Sequence, residues 1–369
     1  MQPTDESVQV IAKLTPLAIA LALLDSIEPV VPREIDVAAA RGHVLAADVK
    51  VAAARPKRAL ALQDGWAVTA ETTQDAGAYA PAPLAKMPPR VDVGEALPDG
   101  TDAVAPLDTV TVRDGRAEAV APVAAGDGVL PAGADAVPGV PLRQTGERVR
   151  AGDVAVFAAA GISRLSVREP RLHVVRARKD EIIGAAAGFI VHDIAARGGV
   201  VNEAASLEAA LRDEKTDAIV SIGGTGSGRN DESVKILSKM GRLAFHGIGL
   251  TPGETVAFGF IGTRPVLLLP GRLDAALAVW IVIGRRMLAR LSACGEEEPA
   301  VTLPLTRKVT STVGLAEFVP VRRNGGSVEP LATKYLPLAA LARADGWILV
   351  PASSEGYPAG AQVPVKAWP

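Results

Sequence analysis

The chain has 369 residues, of which 49% are hydrophobic and 22% are charged, and this composition excludes an intrinsically disordered protein. A formal net charge of −2 and an aromatic content of 4% argue against a nucleic-acid partner, which would favour basic patches and stacking surfaces. The only cysteine, Cys294, excludes an intrachain disulfide, and with four scattered histidines it cannot build a Cys/His zinc cluster.

The N-terminal region has helical periodicity. Its apolar residues predict a helix within residues 14–24, with one stripe made of Leu14, Leu17, Ile19, Leu21 and Leu24, and residues 37–49 predict a second short helix. The apolar stretches 14–24 and 275–284 are both shorter than the roughly 20 residues that a membrane span needs. Residues 1–7 are acidic where a secretory signal would be basic. We therefore expect a cytoplasmic protein without a membrane partner.

From about residue 50 to residue 141, short β-branched runs alternate with Pro/Gly turns, which predicts a small, mostly β domain. The pair Asp114-Gly115 predicts a hairpin turn within it.

From residue 170 onward, apolar strands alternate with helices. Strands are predicted at 172–175, 217–222 and 265–269, and helices at 185–197, 207–213, 231–240 and 274–291. The strands are nearly continuous apolar runs, which is typical of a parallel sheet covered on both faces. Beyond a charged linker at 294–299, β-runs return, with one helical patch at 336–344.

A glycine-rich loop is the motif that most strongly suggests chemistry. It follows the strand at 217–222 and reads Gly223-Gly224-Thr225-Gly226-Ser227-Gly228-Arg229-Asn230-Asp231. Glycine N–H groups can converge on an anion at a helix N-terminus, at the sheet edge where open α/β sheets bind ligands. The spacing matches a P-loop, but Arg229-Asn230 stand where ATP hydrolysis requires Lys-Ser/Thr. The alternative is a tight strand–helix turn with Asp231 as a simple N-cap.

Three further motifs are weaker when each is taken alone. Asp64 could present a carboxylate to a substrate or metal, or belong to an ordinary turn. Asp180 and Glu181, at a strand's carboxyl end, could hold Mg²⁺ through oxygen ligands or form a solvated charge run. Pro252-Gly253 and Pro270-Gly271 form either two loops of defined shape or two ordinary turns.

Taken in chain order, these segments resemble the MoeA family. Its members are the molybdopterin molybdenumtransferases of molybdenum-cofactor biosynthesis, related to the cofactor-synthesis domain of gephyrin. The segments that carry the resemblance are residues 40–49, 63–68 (the family's M-D-G-Y-A-V), 98–104, 145–153, 179–181 (S-T-G-D-E), 223–231 (G-G-V-S-V-G-D-Y-D), 252–259 and 269–271. Together they span nearly the whole chain.

The resemblance implies an α/β multidomain fold with four parts. Residues 1–49 with 141–170 would form an elongated N-terminal domain, 50–140 a β-rich insertion, 171–295 a MogA-like doubly wound domain that binds molybdopterin, and 299–369 a small β-barrel-like domain. It also implies a homodimer, whose active cleft lies between the pterin-binding domain of one subunit and the β insertion of the other. A MogA-like protein or a recipient molybdoenzyme is a candidate further partner.

The implied reaction takes adenylylated molybdopterin, molybdate and Mg²⁺, hydrolyses the adenylate and inserts the metal into the dithiolene. The resemblance makes Asp64, Asp180, Glu181 and Asp231 the catalytic candidates, the last three also as Mg²⁺ ligands. The residues that it assigns to cofactor binding are Gly223, Gly224, Thr225, Gly226, Ser227, Gly228, Arg229, Pro252, Gly253, Pro270, Gly271 and Arg272.

The chain departs from the family pattern mainly in charge. Thr251 and Glu254 replace the lysines of K-P-G-K-P, and residues 177–179 replace S-T-G. Three arginines stand at positions where the family has other residues. Arg148 replaces the Asp of G-E-D, Arg229 the first Asp of G-D-Y-D, and Arg272 the Asn of P-G-N-P. An Arg beside the Mg²⁺ position should weaken metal binding. The new cations could instead hold phosphate directly, since Arg pairs bidentately with phosphate oxygens.

Three functions are compatible with these residues. The first is a working molybdenum-insertion enzyme in which Arg229 and Arg272 replace the missing lysines. The second is a non-catalytic binder or carrier of molybdopterin or the finished cofactor, with little dependence on Mg²⁺. The third is a different nucleotide hydrolase on a related fold, which the loss of metal-binding carboxylates disfavours.

Overall fold

The structure, a computed structural model, describes residues 11, 13–228 and 231–369. The chain forms two compact units. The first comprises Met1–Ala47, Thr145–Ala155 and Ser163–Pro369, and the second comprises Asp48–Gln144 and Val156–Ile162. The helix Ala151–Ala159 begins in the first unit and ends in the second. The finer division into four domains stays a prediction.

The second unit is built from short β-strands, as its alternating composition predicts. The strand Gly65–Val68 lies between Arg90–Val91 and Ala103–Pro106 in an antiparallel sheet. Asp114 and Gly115, both at positive φ, form the two-residue turn of a hairpin, which confirms that prediction. The remaining elements are the strands Val49–Lys50, Leu60–Ala61, Ala82–Pro83, Val110–Arg113, Arg116–Ala119, Val129–Leu130 and Pro141–Arg143, and the 3-10 turns Ala70–Thr73 and Leu107–Thr109.

The first predicted helix is present, but the residues that it buries differ from those predicted. It spans Leu17–Leu24 and buries Leu17, Ala20 and Leu24, a spacing of three and four residues. The predicted stripe is wrong at Ile19, which is 61% exposed. The reason is that the helix is apolar nearly all round, so hydrophobicity alone does not identify its buried face.

The helix predicted at residues 37–49 is wrong. Only Val37–Ala39 forms a 3-10 turn, and Val44–Leu45 is a strand. Gly42 explains the difference, because it lies at φ +88°, a left-handed conformation that ends helices, and a Cβ there would lie 2.7 Å from the carbonyl oxygen of Ala196. The three-stranded antiparallel sheet of this region consists of Arg33–Asp36, Arg164–Arg168 and Val44–Leu45.

A six-stranded sheet forms the centre of the first unit. In chain order its strands are β1 (Arg171–Arg176), β2 (Val200–Glu203), β3 (Ala218–Ile222), β4 (Arg242–His246), β5 (Ala257–Ile261) and β6 (Arg264–Leu269), and their spatial order is β2-β1-β3-β6-β5-β4. The strands β2, β1, β3 and β6 are parallel, as predicted, and β3 is buried along its whole length. The strands β5 and β4 are antiparallel, so the sheet is mixed where the sequence predicted a parallel one.

Four helical segments accompany this sheet, close to the positions predicted. They are α1 (Glu181–Ala196), α2 (Leu207–Arg212), α3 (Ser233–Met240) and α4 (Leu273–Val279), the last continuing through a π-helical turn at Trp280–Gly284 into Arg285–Leu291. A Cβ on Gly284 would lie 2.1 Å from the ring of Trp280, so glycine is needed where this indole packs. None of the helices in the described ranges is long and apolar enough to cross a bilayer.

The C-terminal residues form a small barrel, which agrees with the predicted architecture. The strand Ala300–Pro304 pairs with Gln362–Ala367, and Ser327–Pro330 pairs with Ala316–Asn324. A bridge between Leu305 and Val328 joins these two ends of the sheet. The other elements are the strands Leu250–Thr251, Val309–Thr310, Gly346–Val350 and Gly356–Tyr357 and the helix Leu338–Arg343.

Candidate functional site

One cavity of about 800 Å³ lies where three loops leave the central sheet. The loops follow β1, β3 and β6 and lead into α1, α3 and α4. Since these strands are adjacent and parallel, their carboxyl ends meet at one edge of the sheet. The chain leaves β1 for β2 on one side and returns to β3 on the other, so the cavity lies at the topological switch point, where open α/β sheets bind ligands.

The cavity brings together residues that are far apart in the sequence. The predicted site residues that line it are Asp180, Glu181, Gly224, Thr225, Gly226, Asp231, Pro270, Gly271 and Arg272. Arg178, Thr255 and Tyr335 also line it, although the sequence analysis did not assign them to the site.

The start of the glycine-rich loop is folded tightly against its own helix. Gly223 and Gly224 lie at φ +94° and +77°, and a Cβ on Gly224 would lie 2.3 Å from the hydroxyl oxygen of Ser233. That hydroxyl donates to the carbonyl of Gly223 at 2.9 Å, and the amide of Gly223 donates to the carbonyl of Leu269 at 2.8 Å. These two glycines are therefore required by the turn itself, and the amide of Gly223 is engaged within the protein.

Asp231 closes the far end of the described loop. Its Oδ2 accepts a hydrogen bond from the amide of Gly228 at 3.1 Å. A Cβ on Gly226 would lie 2.8 Å from the same oxygen, so glycine there lets the carboxylate approach. Asp231 does not cap α3, whose N-cap is Glu232. Ser227 and Gly228 are exposed and do not line the cavity, and Arg229 lies outside the described residues.

Thr225 connects the loop to the neighbouring Pro-Gly motif. It is buried, its hydroxyl lies 3.1 Å from that of Thr255, and its carbonyl oxygen lies 2.8 Å from Nε2 of His246. Because a carbonyl oxygen can only accept, Nε2 of His246 carries the proton. Two contacts thus fix the loop at Thr225: His246 of β4 binds its carbonyl oxygen, and Thr255 binds its hydroxyl.

Pro252 and Gly253 are buried and do not line the cavity. Gly253 lies at φ +136°, and a Cβ there would lie 2.5 Å from Val279 at the end of α4. Asp64 belongs to the second unit, where its Oδ1 accepts a hydrogen bond from the amide of Val93 at 2.8 Å. The roles predicted for these three residues stay predictions.

The acidic residues after β1 begin a helix. Asp180 is the N-cap of α1, and its Oδ1 accepts from the amide of Ile183 at 2.8 Å. Glu181 follows in the first turn. No group of three His, Cys, Asp or Glu side chains is arranged to hold a metal ion within the described ranges. Asp180, Glu181 and Asp231 nevertheless share the cavity.

The guanidinium of Arg272 is bound by a buried carboxylate. Its Nε and Nη2 donate to Asp274 at 3.1 and 2.6 Å, and Asp274 is 4% exposed. The hydrogen bonds that Arg272 donates to Asp274 are the main reason that the pKa of Arg272 is raised above its usual value, and the negative charge of Glu254 adds to the shift. Asp274 is therefore the main counter-charge of Arg272, and Glu254 makes a smaller contribution.

Arg178 presents a cation to the cavity. Its side chain is 52% exposed, and its Nε lies 4.0 Å from Oδ2 of Asp180. Its Nη2 lies 3.6 Å from the position that a Cβ of Gly271 would take, which places the guanidinium beside the loop after β6. Arg178 is thus the cavity arginine with the looser carboxylate contact, since Arg272 is bound by both oxygens of Asp274.

Arg148, another departure from the family pattern, has a structural role. Its Nη1 donates to the carbonyl oxygens of Gly42 and Arg197, both at 2.6 Å, and its Nη2 lies 3.5 Å from the sulfur of Cys294. It therefore ties three segments of the first unit together, and it does not line the cavity at the switch point.

Comparison with known proteins agrees with this geometry. Three family models match consecutive parts of the chain: the MoeA N-terminal region (domain I and II) at residues 5–161, a probable molybdopterin binding domain at residues 185–290, and the MoeA C-terminal region (domain IV) at residues 302–368. Together the matched segments span most of the chain.

Full-length relatives show the same likeness. A Methanocaldococcus jannaschii protein, named provisionally for molybdopterin biosynthesis, is 26% identical in an alignment 375 positions long, which covers 90% of this chain and 91% of the relative. Molybdopterin molybdenumtransferase 1 of Mycobacterium tuberculosis is 26% identical in an alignment 315 positions long, which covers 75% of this chain and 73% of the relative.

Solved structures confirm the fold. The molybdopterin biosynthesis moeA protein of Pyrococcus horikoshii superposes with a TM-score of 0.78 over 96% of this chain and 100% of that chain, at 22% identity. A second structure of that protein gives a TM-score of 0.75 at 25% identity, covering 96% of this chain and 99% of that chain. The α/β multidomain architecture expected from the sequence is therefore confirmed, and the chain belongs to the MoeA family.

Proposed function

We propose that this protein acts in molybdenum-cofactor biosynthesis as a molybdopterin molybdenumtransferase, which inserts molybdate into adenylylated molybdopterin and releases AMP. The observation that carries the proposal is the cavity at the switch point of the sheet, which is lined by three loops that bear the family's motifs. Its volume of about 800 Å³ suits a ligand of cofactor size. The relatives named as molybdopterin molybdenumtransferases support the activity.

The cations and carboxylates of the cavity have separate tasks in this proposal. Arg178 binds the phosphoanhydride and stabilises the negative charge that grows on it as the oxygen of water bonds to a phosphorus and the bridging P–O bond breaks, which gives AMP and the monophosphate of molybdopterin. Arg272, held by Asp274, forms a fixed part of the wall. Asp180 and Asp231 each use one carboxylate oxygen to fix a loop, through Ile183 and Gly228, and the second oxygen of Asp180 faces Arg178 at 4.0 Å.

The carboxylates of the cavity fit a Mg²⁺ ion that keeps several of its water ligands, and not one that is bound by protein side chains alone. The described residues offer no cluster of three metal-binding side chains. Mg²⁺, however, usually keeps several waters and is bound through one or two carboxylates together with substrate phosphates. Asp180, Glu181 and Asp231 are the residues that would hold it. When bound, it would neutralise charge on the phosphoanhydride.

The activity assay uses purified protein, adenylylated molybdopterin, molybdate and Mg²⁺, with released AMP as the readout. We expect molybdate-dependent AMP release by the wild type, and a loss of about tenfold or more on Arg178→Ala, because one charge-assisted phosphate contact is removed. Arg176→Ala removes an exposed arginine that does not line the cavity and is the matched control. Tight pterin binding without AMP release would indicate a carrier and contradict the proposal.

We also propose that the protein is a cytoplasmic homodimer, in which Asp64 from the second copy completes the site. The support is the resemblance to the MoeA family, which implies an active cleft shared between two subunits. A mixture of Asp64→Ala and Arg178→Ala proteins should regain activity, because mixed dimers contain one intact site. Failure of the mixture to exceed either variant, with dimers exchanging normally, would refute the shared site.

A further inference from the structure

The C-terminal barrel region supplies an exposed aromatic ring to the cavity. Tyr335 lines the cavity and is 60% exposed, just before the helix Leu338–Arg343. The guanidinium carbon of Arg272 lies 5.3 Å from the centroid of its ring, within the range of a cation–π contact. One side of the phenol ring is therefore in contact with a fixed cation, while most of the residue remains accessible.

Two buried carboxylates hold the backbone on either side of this ring. The amide of Lys334 donates to Oε1 of Glu317 at 2.8 Å, and the amide of Leu336 donates to Oδ2 of Asp274 at 3.2 Å. Glu317 is completely buried and Asp274 is 4% exposed. A buried carboxylate costs free energy unless it is hydrogen-bonded, and here two of them accept from amides within one three-residue segment. We take this as a sign that the backbone position of residues 334–336 is fixed.

The backbone beside Tyr335 also adopts an uncommon conformation. Lys334 lies at φ +62°, in the left-handed region that residues with side chains usually avoid. Such a conformation persists when the surrounding contacts enforce it, and here Glu317 and Asp274 do so. Leu336, Leu338 and Ile182 line the same cavity and contribute apolar surface to it.

We propose that Tyr335, backed by Arg272, is the platform on which a planar fused nitrogen heterocycle of the ligand stacks. The inference rests on the proposed function and names the part of the ligand that this wall recognises. The candidate rings are the adenine and the pterin of adenylylated molybdopterin. Every such ring has a π-face, so an aromatic platform with apolar neighbours recognises it without a dedicated hydrogen-bond pattern. Arg178 lies in the same cavity and binds phosphate, so ring and phosphate are held by different side chains.

The experiment measures the affinities of AMP, neopterin and ribose 5-phosphate for the wild type, Tyr335→Ala and Tyr335→Phe by calorimetry. We expect Tyr335→Ala to weaken the binding of AMP, neopterin or both by about tenfold, because one stacking contact is lost. It should leave ribose 5-phosphate unchanged, and Tyr335→Phe should retain the affinity of the wild type within about twofold, since the ring is kept. The ring ligand that weakens identifies the stacked group.

Equal affinity of the wild type and Tyr335→Ala for both ring ligands would overturn the inference, as would a wild type that binds neither. Because Tyr335 is exposed, the alanine variant should fold, and its unfolding midpoint serves as the check. The AMP-release assay separates this inference from the proposed function. If the ring ligands bind in a way that depends on Tyr335 but the wild type releases no AMP, only the proposed activity is refuted. If the wild type releases AMP and Tyr335→Ala does so with the same rate and KM, only the stacking platform is refuted.

Discussion

Asp274 binds Arg272 through both carboxylate oxygens, at 3.1 and 2.6 Å, and its Oδ2 also accepts the amide of Leu336 at 3.2 Å. One buried residue at the start of α4 thereby joins the loop after β6 to the segment before the helix Leu338–Arg343. The arginine that replaces an asparagine of the family pattern is thus part of the cavity wall. Asp274 therefore both fixes the backbone of this wall, through the amide of Leu336, and holds its positive charge, through the guanidinium of Arg272.

Replacing Asp274 by Ala should therefore destabilise the protein and weaken ligand binding together. The amide of Leu336 loses its acceptor in a buried environment, and we expect the free energy of unfolding to fall by about 2 kcal/mol. Urea denaturation measures this change. Asp25→Ala, which breaks an exposed ion pair with Arg286, is the control and should change stability far less. Equal effects of the two substitutions would contradict the structural role of Asp274.

Asp193 should make stability depend on pH in acid. Burial alone would raise the pKa of Asp193, but the hydrogen bonds and charge of Arg285, together with Arg197 and Trp280, lower it below the usual value of 3.8. A lowered pKa means that the ionised carboxylate stabilises the fold at pH values above 3.8, and that this contribution is lost as pH falls through the native-state pKa.

The variant Asp193→Asn tests this linkage. Because it removes the carboxylate that accepts from Nε and Nη2 of the buried Arg285 and leaves only Glu298 as its charged partner, we expect the free energy of unfolding at pH 7 to fall by about 2 kcal/mol. The difference between wild type and variant should shrink as the pH is lowered below 3.8, where the wild-type carboxylate becomes protonated. A difference that stays constant from pH 7 to pH 3 would show that the charge of Asp193 is not the cause.

Restoring the family's acidic residue at position 148 should harm stability without improving activity. Arg148→Asp would place a carboxylate near the carbonyl oxygens of Gly42 and Arg197, which the arginine now satisfies. We expect a loss of about 2 kcal/mol in unfolding free energy and an unchanged affinity for AMP. Higher AMP-release activity in this variant would indicate that Arg148 acts at the site after all.

Gly224 should be intolerant of a side chain. In Gly224→Ala the Cβ would lie 2.3 Å from the hydroxyl of Ser233, so the loop must shift and AMP affinity should fall by about tenfold or more. Gly262→Ala is the matched control, because Gly262 also has a positive φ but no atom lies within 4 Å of the added Cβ. It should cost about 1 kcal/mol of stability and leave AMP affinity unchanged. Similar affinities in both variants would argue against a role for the loop shape.

The sequence placed the glycine-rich loop and the pair Asp180-Glu181 each at the carboxyl end of a strand, and parallel strands bring such ends to one edge of the sheet. Pro270, Gly271 and Arg272 were grouped with them only through the family resemblance. The antiparallel strands β4 and β5 were not predicted, because β5 is buried along most of its length and lacks an alternating pattern. The helix proposed for residues 37–49 failed because the conformation of Gly42 is set by its packing against Ala196.

Tyr335 and Thr255 could not be assigned from local sequence. Tyr335 is held at the cavity by its neighbours Lys334 and Leu336, whose amides donate to Glu317 and Asp274, two residues that are distant in the chain. The helix after β1 begins at Glu181, four residues before the predicted start, because Asp180, a preferred N-cap residue, accepts from the amide of Ile183. The effect of Asp180 on Mg²⁺ binding stays a prediction.

The central claim is that the cavity at the switch point holds the substrate. A crystal structure of the protein soaked with adenylylated molybdopterin tests it most directly. The account predicts density in this cavity, with a phosphate oxygen within hydrogen-bond distance of Arg178 and one ring against Tyr335. Density bound elsewhere on the protein, with this cavity empty at saturating ligand, would contradict it.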